Sequence, residues 1–137
     1  MKPQLFTLYH LVKSEDLNHH GTLYAGRTAE WFVEAGFVAA ASLTNPKHIL
    51  CLKIHGLTFT SPVKPGEIVR FDSQIILAGR TSLVAFVRVQ TAAGVDVVRG
   101  FITFIHVDDD GKPEPHGIEI NPESDEEKAL QDEARNL

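Results

Sequence analysis

The sequence contains only one cysteine, Cys51, among its 137 residues. One thiol excludes an internal disulfide framework and a cysteine-based zinc or iron–sulfur centre, and it is compatible with a reducing compartment. Because Cys51 lies in an apolar run, we expect it to be an ordinary core residue. We also predict no redox or metal cofactor.

Long apolar runs are absent as well. No stretch of about 18 apolar residues occurs, and the N-terminus lacks a basic stretch followed by a long apolar stretch and a small-residue cleavage site. We therefore expect no signal peptide, no membrane span and no membrane partner. The expected location is the cytoplasm.

The chain also has no excess of positive charge. It carries 13 basic and 18 acidic side chains, and residues 123–137 alone have a net charge of −4, which leaves −1 for the rest. A nearly neutral body without a basic stripe argues against nucleic-acid binding. We expect one domain over residues 1–120 and an acidic tail or helix over residues 121–137, either solvated or frayed. Asn121 and Pro122 indicate where a helix would start.

One long helix is predicted over residues 27–43. This stretch is rich in alanine, contains no proline and ends before the Asn45-Pro46 pair. Its apolar side chains point in every direction rather than along one stripe, which predicts that protein surrounds the helix.

The remaining pattern is that of strands, over residues 5–12, 49–59, 67–78, 82–91 and 95–107. Turn residues between the later strands indicate antiparallel hairpins. Alternation predicts that each of two strands presents one shared face to the helix, namely Val69, Phe71, Ser73, Ile75 and Leu77 on one, and Leu83, Ala85, Val87 and Val89 on the next. The predicted fold class is α+β, with a five-stranded antiparallel sheet wrapped around one long central helix.

Two acids interrupt the apolar helix, Glu30 and Glu34, one turn apart. Glu34 stands in the middle of the helix, where a carboxylate destabilises the fold unless it is paired, hydrated or functional. A buried carboxylate there would suit general base chemistry. The alternative is that Glu34 faces a solvated seam or a subunit edge. We interpret Glu30 as a surface acid near the helix start.

The segment before the helix is rich in polar and turn residues. Gly26 allows a ligand to approach the backbone closely, and the N–H groups at a helix start suit a developing oxyanion. Asn18 either serves such a site or caps a turn. His19 and His20 are adjacent, and in an extended segment their rings would point in opposite directions, so we predict no metal site.

These residues match a known signature. The stretch DLNHHGTLYAGR at 16–27, followed by EWFVEA at 30–35, resembles the signature of the hotdog-fold acyl-CoA thioesterases. PVKPGE at 62–67, GRTS at 79–82 and FIHVD at 104–108 are similar to later parts of that family. The resemblance covers roughly residues 5–116.

The resemblance implies a hotdog fold that pairs as a homodimer, with tetramers or hexamers as higher assemblies, and an active site at the dimer interface. In this family an asparagine, matching Asn18, and a helix carboxylate of the other subunit act on an acyl-CoA thioester. The backbone around Gly26 would receive the thioester oxygen. The position that matches the helix carboxylate is Val33, so the candidate base or nucleophile is the next residue, Glu34.

The implied activity is hydrolysis of acyl-CoA to a free acid and CoA, with no cofactor other than the CoA of the substrate. Phosphate groups of CoA would require basic and polar partners, and the substrate-binding candidates are His19, His20, Gly21, Arg27, Arg80, Thr81 and Ser82. The acyl group is expected among Trp31, Phe32, Leu57 and Phe59. Two alternatives stay open: an acyl-CoA-binding protein that lost its base at Val33, and a hotdog hydratase or dehydratase that uses His55 or His106.

Overall fold

The computed structural model describes residues 1–137 and contains two α-helices and one five-stranded sheet. The helices are α1 (Ala25–Ala41) and α2 (Asp125–Arg135), and the strands are β1 (Phe6–Leu11), β2 (Ile49–Ile54), β3 (Ile68–Ala78), β4 (Ser82–Thr91) and β5 (Asp96–His106). Every pairing is antiparallel, in the order β1-β3-β4-β5-β2. The predicted fold class is confirmed, although β2 is shorter than expected. Neither helix is long and apolar enough to cross a membrane.

Helix α1 lies across one face of the sheet, mainly on β3 and β4. Its buried residues recur every three or four positions, and they are Thr28, Trp31, Phe32, Ala35, Gly36, Ala39 and Ala40. The helix lies close to the sheet where small residues meet it. The Ser73 hydroxyl of β3 donates to the Ala35 carbonyl of the helix at 2.8 Å. At Gly36, a Cβ atom would lie only 2.8 Å from Ile102 Cδ1 of β5. Gly36 thus lets the helix sit directly on β5.

The expectation that protein surrounds α1 is wrong for the single chain. Glu30 and Glu34 are exposed, and Val33 and Phe37 are only half-buried. The physical reason is that one sheet can cover only one side of a helix. The remaining apolar side of α1 is left for another surface.

Strand faces follow the predicted alternation with one exception. Val69, Phe71 and Ser73 are buried on the α1 side, but a bulge shifts the register between Ile75 and Leu77. Leu77 therefore joins the cluster on the opposite face of the sheet. The predicted place of Leu77 beside Ile75 is wrong because a bulge inserts one residue and reverses the alternation after it.

Helix α2 packs on the face of the sheet opposite to α1. Leu130 and Ala134 meet an apolar patch formed by Ile76, Val84, Phe86 and Phe101. Two ion pairs flank this contact, from Arg88 to Glu126 at 3.1 Å and from Arg99 to Glu133 at 3.0 Å. The acidic segment was expected to be either a helix or a frayed end, and most of it is a helix. One side of this helix packs on the sheet.

The start signal for this helix was assigned to the wrong residues. Helix α2 begins at Asp125, and the cap is Ser124, whose hydroxyl accepts from the Glu127 amide at 3.0 Å. The Glu127 carboxylate in turn accepts from the Ser124 amide at 2.9 Å. This reciprocal capping box stabilises the helix end more specifically than a proline does, so the helix starts after the Asn121-Pro122 pair.

Strand β2 is an edge strand that a single chain leaves largely uncovered. Five of its six residues are exposed, including Leu50 and Leu52. The prediction that Cys51 is an ordinary core residue is wrong, since Cys51 is exposed on this strand. An apolar run predicts burial when the strand has a partner on both sides. Strand β2 lies at the edge of the sheet and has a partner on one side alone, so its apolar run stays exposed in a single chain. Partial burial still raises the pKa of the Cys51 thiol.

Candidate active site

The loop between β1 and α1 is shaped by the side chain of Asn18. The Asn18 Oδ1 atom accepts from the amides of His20 at 2.9 Å and Thr22 at 3.1 Å, and Nδ2 donates to the Thr22 hydroxyl at 3.0 Å. Gly21 completes the turn with a φ of +76°. Asn18 thus caps a turn, and it keeps one Nδ2 proton that this network does not use.

Helix α1 begins directly after this loop. The first backbone bonds of the helix run from the amides of Arg27 and Thr28 to the Tyr24 carbonyl, at 3.0 and 3.1 Å. The amides of Ala25 and Gly26 precede that pattern, as the first N–H groups of a helix do. They lie at the positive end of the helix dipole and can donate to an oxygen that gains negative charge.

A cavity of about 310 Å³ joins these features. Asn18, Ala25 and Thr28 line one side of it, and a segment that runs from Phe59 to Val63 lines the other. The structure therefore brings Asn18 to the start of α1, where Gly26 follows Ala25. The sequence gives no signal for the loop wall that contains Thr60 and Ser61, since the predicted strand ends at Phe59 and these two residues follow it.

Gly26 has a neighbour that the sequence analysis also missed. A Cβ at this position would lie 2.5 Å from a ring carbon of Tyr24, so the space that the glycine leaves is filled by that ring. Tyr24 is itself exposed at the start of the helix. An aromatic residue two positions before a helix-start glycine was the signal for this contact.

Glu34 lies away from this cavity. It is eight residues after Gly26, about 12 Å along the helix axis, and its charge acts on His10 of β1. Burial lowers the pKa of His10, and Glu34 partly opposes that effect. The His10 ring stacks on Trp31 with 4.1 Å between centroids.

Val33 faces the other way. Phe37, one turn after Val33, contacts Phe104 of β5 with ring centroids 6.0 Å apart. Since residues four apart share a helix face, Val33 lies on the β5 side of α1. Within one chain, Asn18 and Ala25 thus line the same cavity, whereas Glu34 lies on the β1 side of α1.

His19 and His20 do not point in opposite directions. Their exposed rings lie 3.9 Å apart between centroids, with a tilt of 43°. The expectation assumed an extended segment, but the turn that Asn18 closes brings neighbouring side chains to one side. Both rings are next to the cavity-lining Asn18 in the chain.

Arg27 is engaged in ion pairs. Its Nε atom lies 3.4 Å from the buried carboxylate of Asp16, and Nη1 lies 3.8 Å from Glu30. Asp16 also accepts from the Lys13 amide at 2.9 Å. Arg27 therefore ties the beginning of the loop to the first turn of α1, and part of its charge is already neutralised.

The GRTS hairpin lies at the far end of the sheet. Ser82 pairs with Ile105, whereas the cavity contains Val97 at the other end of β5. Eight residues of a strand correspond to about 26 Å. Arg80, Thr81 and Ser82 consequently do not meet Asn18 within one chain. Arg80 is exposed.

The acyl-binding candidates separate into two groups. Phe32 is completely buried and Trp31 nearly so, which makes them core residues. Phe59 lines the cavity and is 43% exposed. Only Phe59 of the four candidates therefore belongs to the cavity wall of a single chain.

Comparison with known proteins gives a consistent result. The family model described as the thioesterase superfamily matches residues 20–98. An uncharacterised acyl-CoA thioester hydrolase of Bacillus subtilis is 26% identical over 124 residues, which span 87% of this chain and 71% of that protein.

Solved structures agree on the fold. The apo form of a hexameric acyl-CoA thioesterase is 27% identical and superposes with a TM-score of 0.88, over 96% of this chain and 86% of that one. A hexameric hotdog-fold thioesterase of Campylobacter jejuni is 25% identical, with a TM-score of 0.70 over 91% and 94% of the two chains.

Proposed function

The chain belongs to the thioesterase superfamily and has the hotdog fold, and from this premise we propose that it hydrolyses an acyl-CoA thioester to a free acid and CoA. The observation that carries the proposal is the cavity that Asn18 lines together with Ala25, the first residue of α1. Relatives with the same fold are an acyl-CoA thioester hydrolase and an acyl-CoA thioesterase. No cofactor beyond the CoA of the substrate is proposed.

In the proposed reaction, the thioester carbonyl oxygen accepts hydrogen bonds from the first amides of α1, near Gly26. These donors and the helix dipole stabilise the negative charge that forms when the oxygen of water attacks the carbonyl carbon. The carbon–sulfur bond then breaks, the proton that the water loses passes to the sulfur, and CoA leaves as the thiol while the acyl group leaves as the free acid. The Nδ2 proton that Asn18 does not use in its loop orients the water or the carbonyl.

A homodimer completes this proposal. Strand β2 exposes an apolar edge that a second copy can pair with across a two-fold axis. Because paired edges run antiparallel, the 79–82 hairpin end of one subunit would then approach the cavity end of the other. The half-buried side of α1 at Val33 would also be covered. The hexameric relatives support assembly beyond a dimer.

We propose Glu34 as the carboxylate that acts as base or nucleophile. Its position on the β1 side of α1 is also the observation that favours a second candidate function. If no carboxylate replaces the one that the family has at the position of Val33, the protein binds acyl-CoA without turnover. The thioesterase remains the first proposal, since Asn18 and the start of α1 line the cavity together.

The deciding experiment measures thiol release from acyl-CoA esters of different chain length, with Glu34→Gln, Val33→Asp and Glu30→Gln beside the wild type. Glu30→Gln is the matched control, because Glu30 is an exposed acid one turn earlier on the same helix. The proposal expects hydrolysis by the wild type and a loss of about 100-fold or more in kcat for Glu34→Gln. Glu30→Gln should stay within about twofold of the wild type.

Two results would contradict this assignment. A wild type that binds CoA esters without releasing thiol, together with a gain of turnover in Val33→Asp, would show a binding protein. Addition of water to an enoyl thioester without thiol release would show a hydratase. The cytoplasmic location stays a prediction, and the exposed free thiol of Cys51 supports a reducing compartment.

A further inference from the structure

The hairpin that carries Arg80, Thr81 and Ser82 is held in place by a segment that belongs to neither helix nor sheet. This segment, residues 114–118, follows β5 and returns to the hairpin through backbone hydrogen bonds. The His116 amide donates to the Arg80 carbonyl at 3.3 Å. Beyond it, Ile118 packs against the main core, so this segment connects the core to the hairpin.

His116 makes the side-chain bonds of this connection. Its Nε2 atom lies 2.9 Å from the Ser82 carbonyl, and its Nδ1 atom lies 2.9 Å from the Ile118 amide. A carbonyl can only accept and an amide N–H can only donate. The ring is therefore neutral, with its proton on Nε2, and it bridges the hairpin to the core-anchored residue Ile118.

The Ser82 carbonyl has a second donor within the hairpin. The Gly79 amide donates to it at 3.0 Å, which closes the turn. The His106 amide donates to the Thr81 carbonyl at 2.7 Å, and the rings of His106 and His116 meet edge to face at 6.2 Å. Every backbone carbonyl from Arg80 to Ser82 is thus bound, and His116 provides the only side-chain donor among these bonds.

We propose that His116 is a positioning residue that fixes the 79–82 hairpin in the conformation in which its basic and hydroxyl side chains bind the CoA part of the substrate. This inference rests on the proposed function. His116 acts through backbone groups of the hairpin, and the neighbouring His48 is engaged elsewhere, with Nε2 2.9 Å from Asp109. His116 therefore contributes to the conformation of the hairpin through hydrogen bonds, and it does not contribute a positive charge to CoA binding.

The test compares steady-state kinetics of His116→Ala, His116→Gln and His48→Gln with the wild type. His48→Gln is the matched control, since it removes a half-buried histidine of the same surface without touching the hairpin. We expect His116→Ala to raise KM for acyl-CoA about tenfold, the effect of one lost hydrogen bond, with kcat within about twofold. His116→Gln should recover part of the loss because its amide can donate to Ser82.

A double-mutant cycle with Arg80→Gln gives a second readout. If His116 acts through the hairpin, His116→Ala will raise KM much less in the Arg80→Gln background than in the wild type. Additive effects, an unchanged KM in His116→Ala, or equal changes in His48→Gln would overturn the inference. If His116→Ala does not fold, the cycle is made with His116→Gln.

Failure of the proposed function is distinguishable from failure of this inference. If the wild type binds CoA but releases no thiol, the hydrolase proposal fails, and the same variants are compared by their dissociation constants for CoA. A tenfold weaker constant in His116→Ala then still supports the inference. A wild type that binds no CoA overturns both.

Discussion

Asn18 shows how one side chain can have a structural and a chemical role at the same time. Its carbonyl oxygen is used by the amides of His20 and Thr22. One of its two Nδ2 protons is used by the Thr22 hydroxyl. The loop therefore requires the oxygen, and the proposed reaction requires the remaining N–H.

Two substitutions separate these roles. Asn18→Asp keeps an acceptor for both amides, so the free energy of unfolding should change by less than about 1 kcal/mol, whereas kcat should fall on the order of 100-fold because the donor is lost. Asn18→Ala should lower kcat similarly and also lower the free energy of unfolding by about 1–3 kcal/mol. Thermal unfolding and thiol release measure both effects. Equal kcat in Asn18→Asp and the wild type would leave Asn18 with the structural role alone.

Two side-chain placements that we predicted from residue types alone are wrong. Cys51 was expected in the core because its neighbours are apolar, and it is exposed. The His19 and His20 rings were expected on opposite sides, and they are adjacent. In both cases the surroundings of the segment, and not its residue types, determined where the side chains lie.

Helix α2 is the element whose docking depends most on charge. Arg88 and Arg99 lie directly opposite each other on β4 and β5, an arrangement that destabilises a sheet unless both charges are paired. Glu126 and Glu133, two turns apart on α2, provide the partners. The same helix covers the apolar patch of Ile76, Val84, Phe86 and Phe101, which extends from β3 across β4 to β5.

Acid should release this helix. The side-chain hydrogen bond from Arg99 lowers the pKa of Glu133, and the backbone amides of Ser124 and Glu123 lower the pKa of Glu127. A depressed carboxyl pKa stabilises the fold above the ordinary value of about 4.3, and this contribution disappears as the pH falls through the lower value. The protection of the α2 amides against hydrogen exchange, relative to the intrinsic exchange rate at each pH, should therefore decrease below about pH 4.

The variant Glu133→Gln checks the origin of that effect. It should destabilise the protein at neutral pH by less than about 1 kcal/mol, since the pair is half-exposed, and it should weaken the pH dependence of amide protection in α2. Glu123→Gln is the control, because the Glu123 carboxylate forms no ion pair. Identical pH profiles for wild type and Glu133→Gln would remove Arg99 from the explanation.

Most elements could be predicted because their signals are local. Strand β4 has the predicted bounds, and α1 is displaced by only two residues from the predicted range. The bulge in β3 and the early end of β2 could not be predicted. Both depend on how neighbouring strands align, and alternation within one segment carries no information on that alignment.

At the scale of the whole molecule, the main feature that a single chain leaves exposed is the apolar edge strand β2. Leu52 on this strand is 62% exposed, and Tyr9 on the opposite edge strand β1 is equally exposed. Strand β2 already carries Lys53 next to Leu52, and a second lysine in place of an apolar residue would add charge and remove apolar contact area, which disfavours pairing with another strand. The positions of Leu52 and Tyr9 allow a matched test of which edge joins the subunits.

Leu52→Lys should therefore separate the proposed dimer, and Tyr9→Lys should leave it intact. Both residues are exposed in the single chain, so neither substitution should lower the free energy of unfolding of a monomer by more than about 0.5 kcal/mol. Analytical ultracentrifugation measures the assembly, and thiol release should decrease only in Leu52→Lys. Unchanged assembly in Leu52→Lys, or dissociation in Tyr9→Lys, would show that β2 is not the joining edge.

The sequence by itself determined the elements, the fold class and the family, because helix length, strand alternation, turn residues and the 16–35 signature are local properties of the chain. It also placed Asn18 close to the helix start, and Asn18 and Ala25 line one cavity. Tertiary structure alone decided that Glu34 lies on the β1 side of α1, that Val33 lies on the β5 side, and that the 79–82 hairpin lies far from the cavity. These placements depend on which side of α1 the sheet covers and on the order of its strands, and both follow from packing between distant segments.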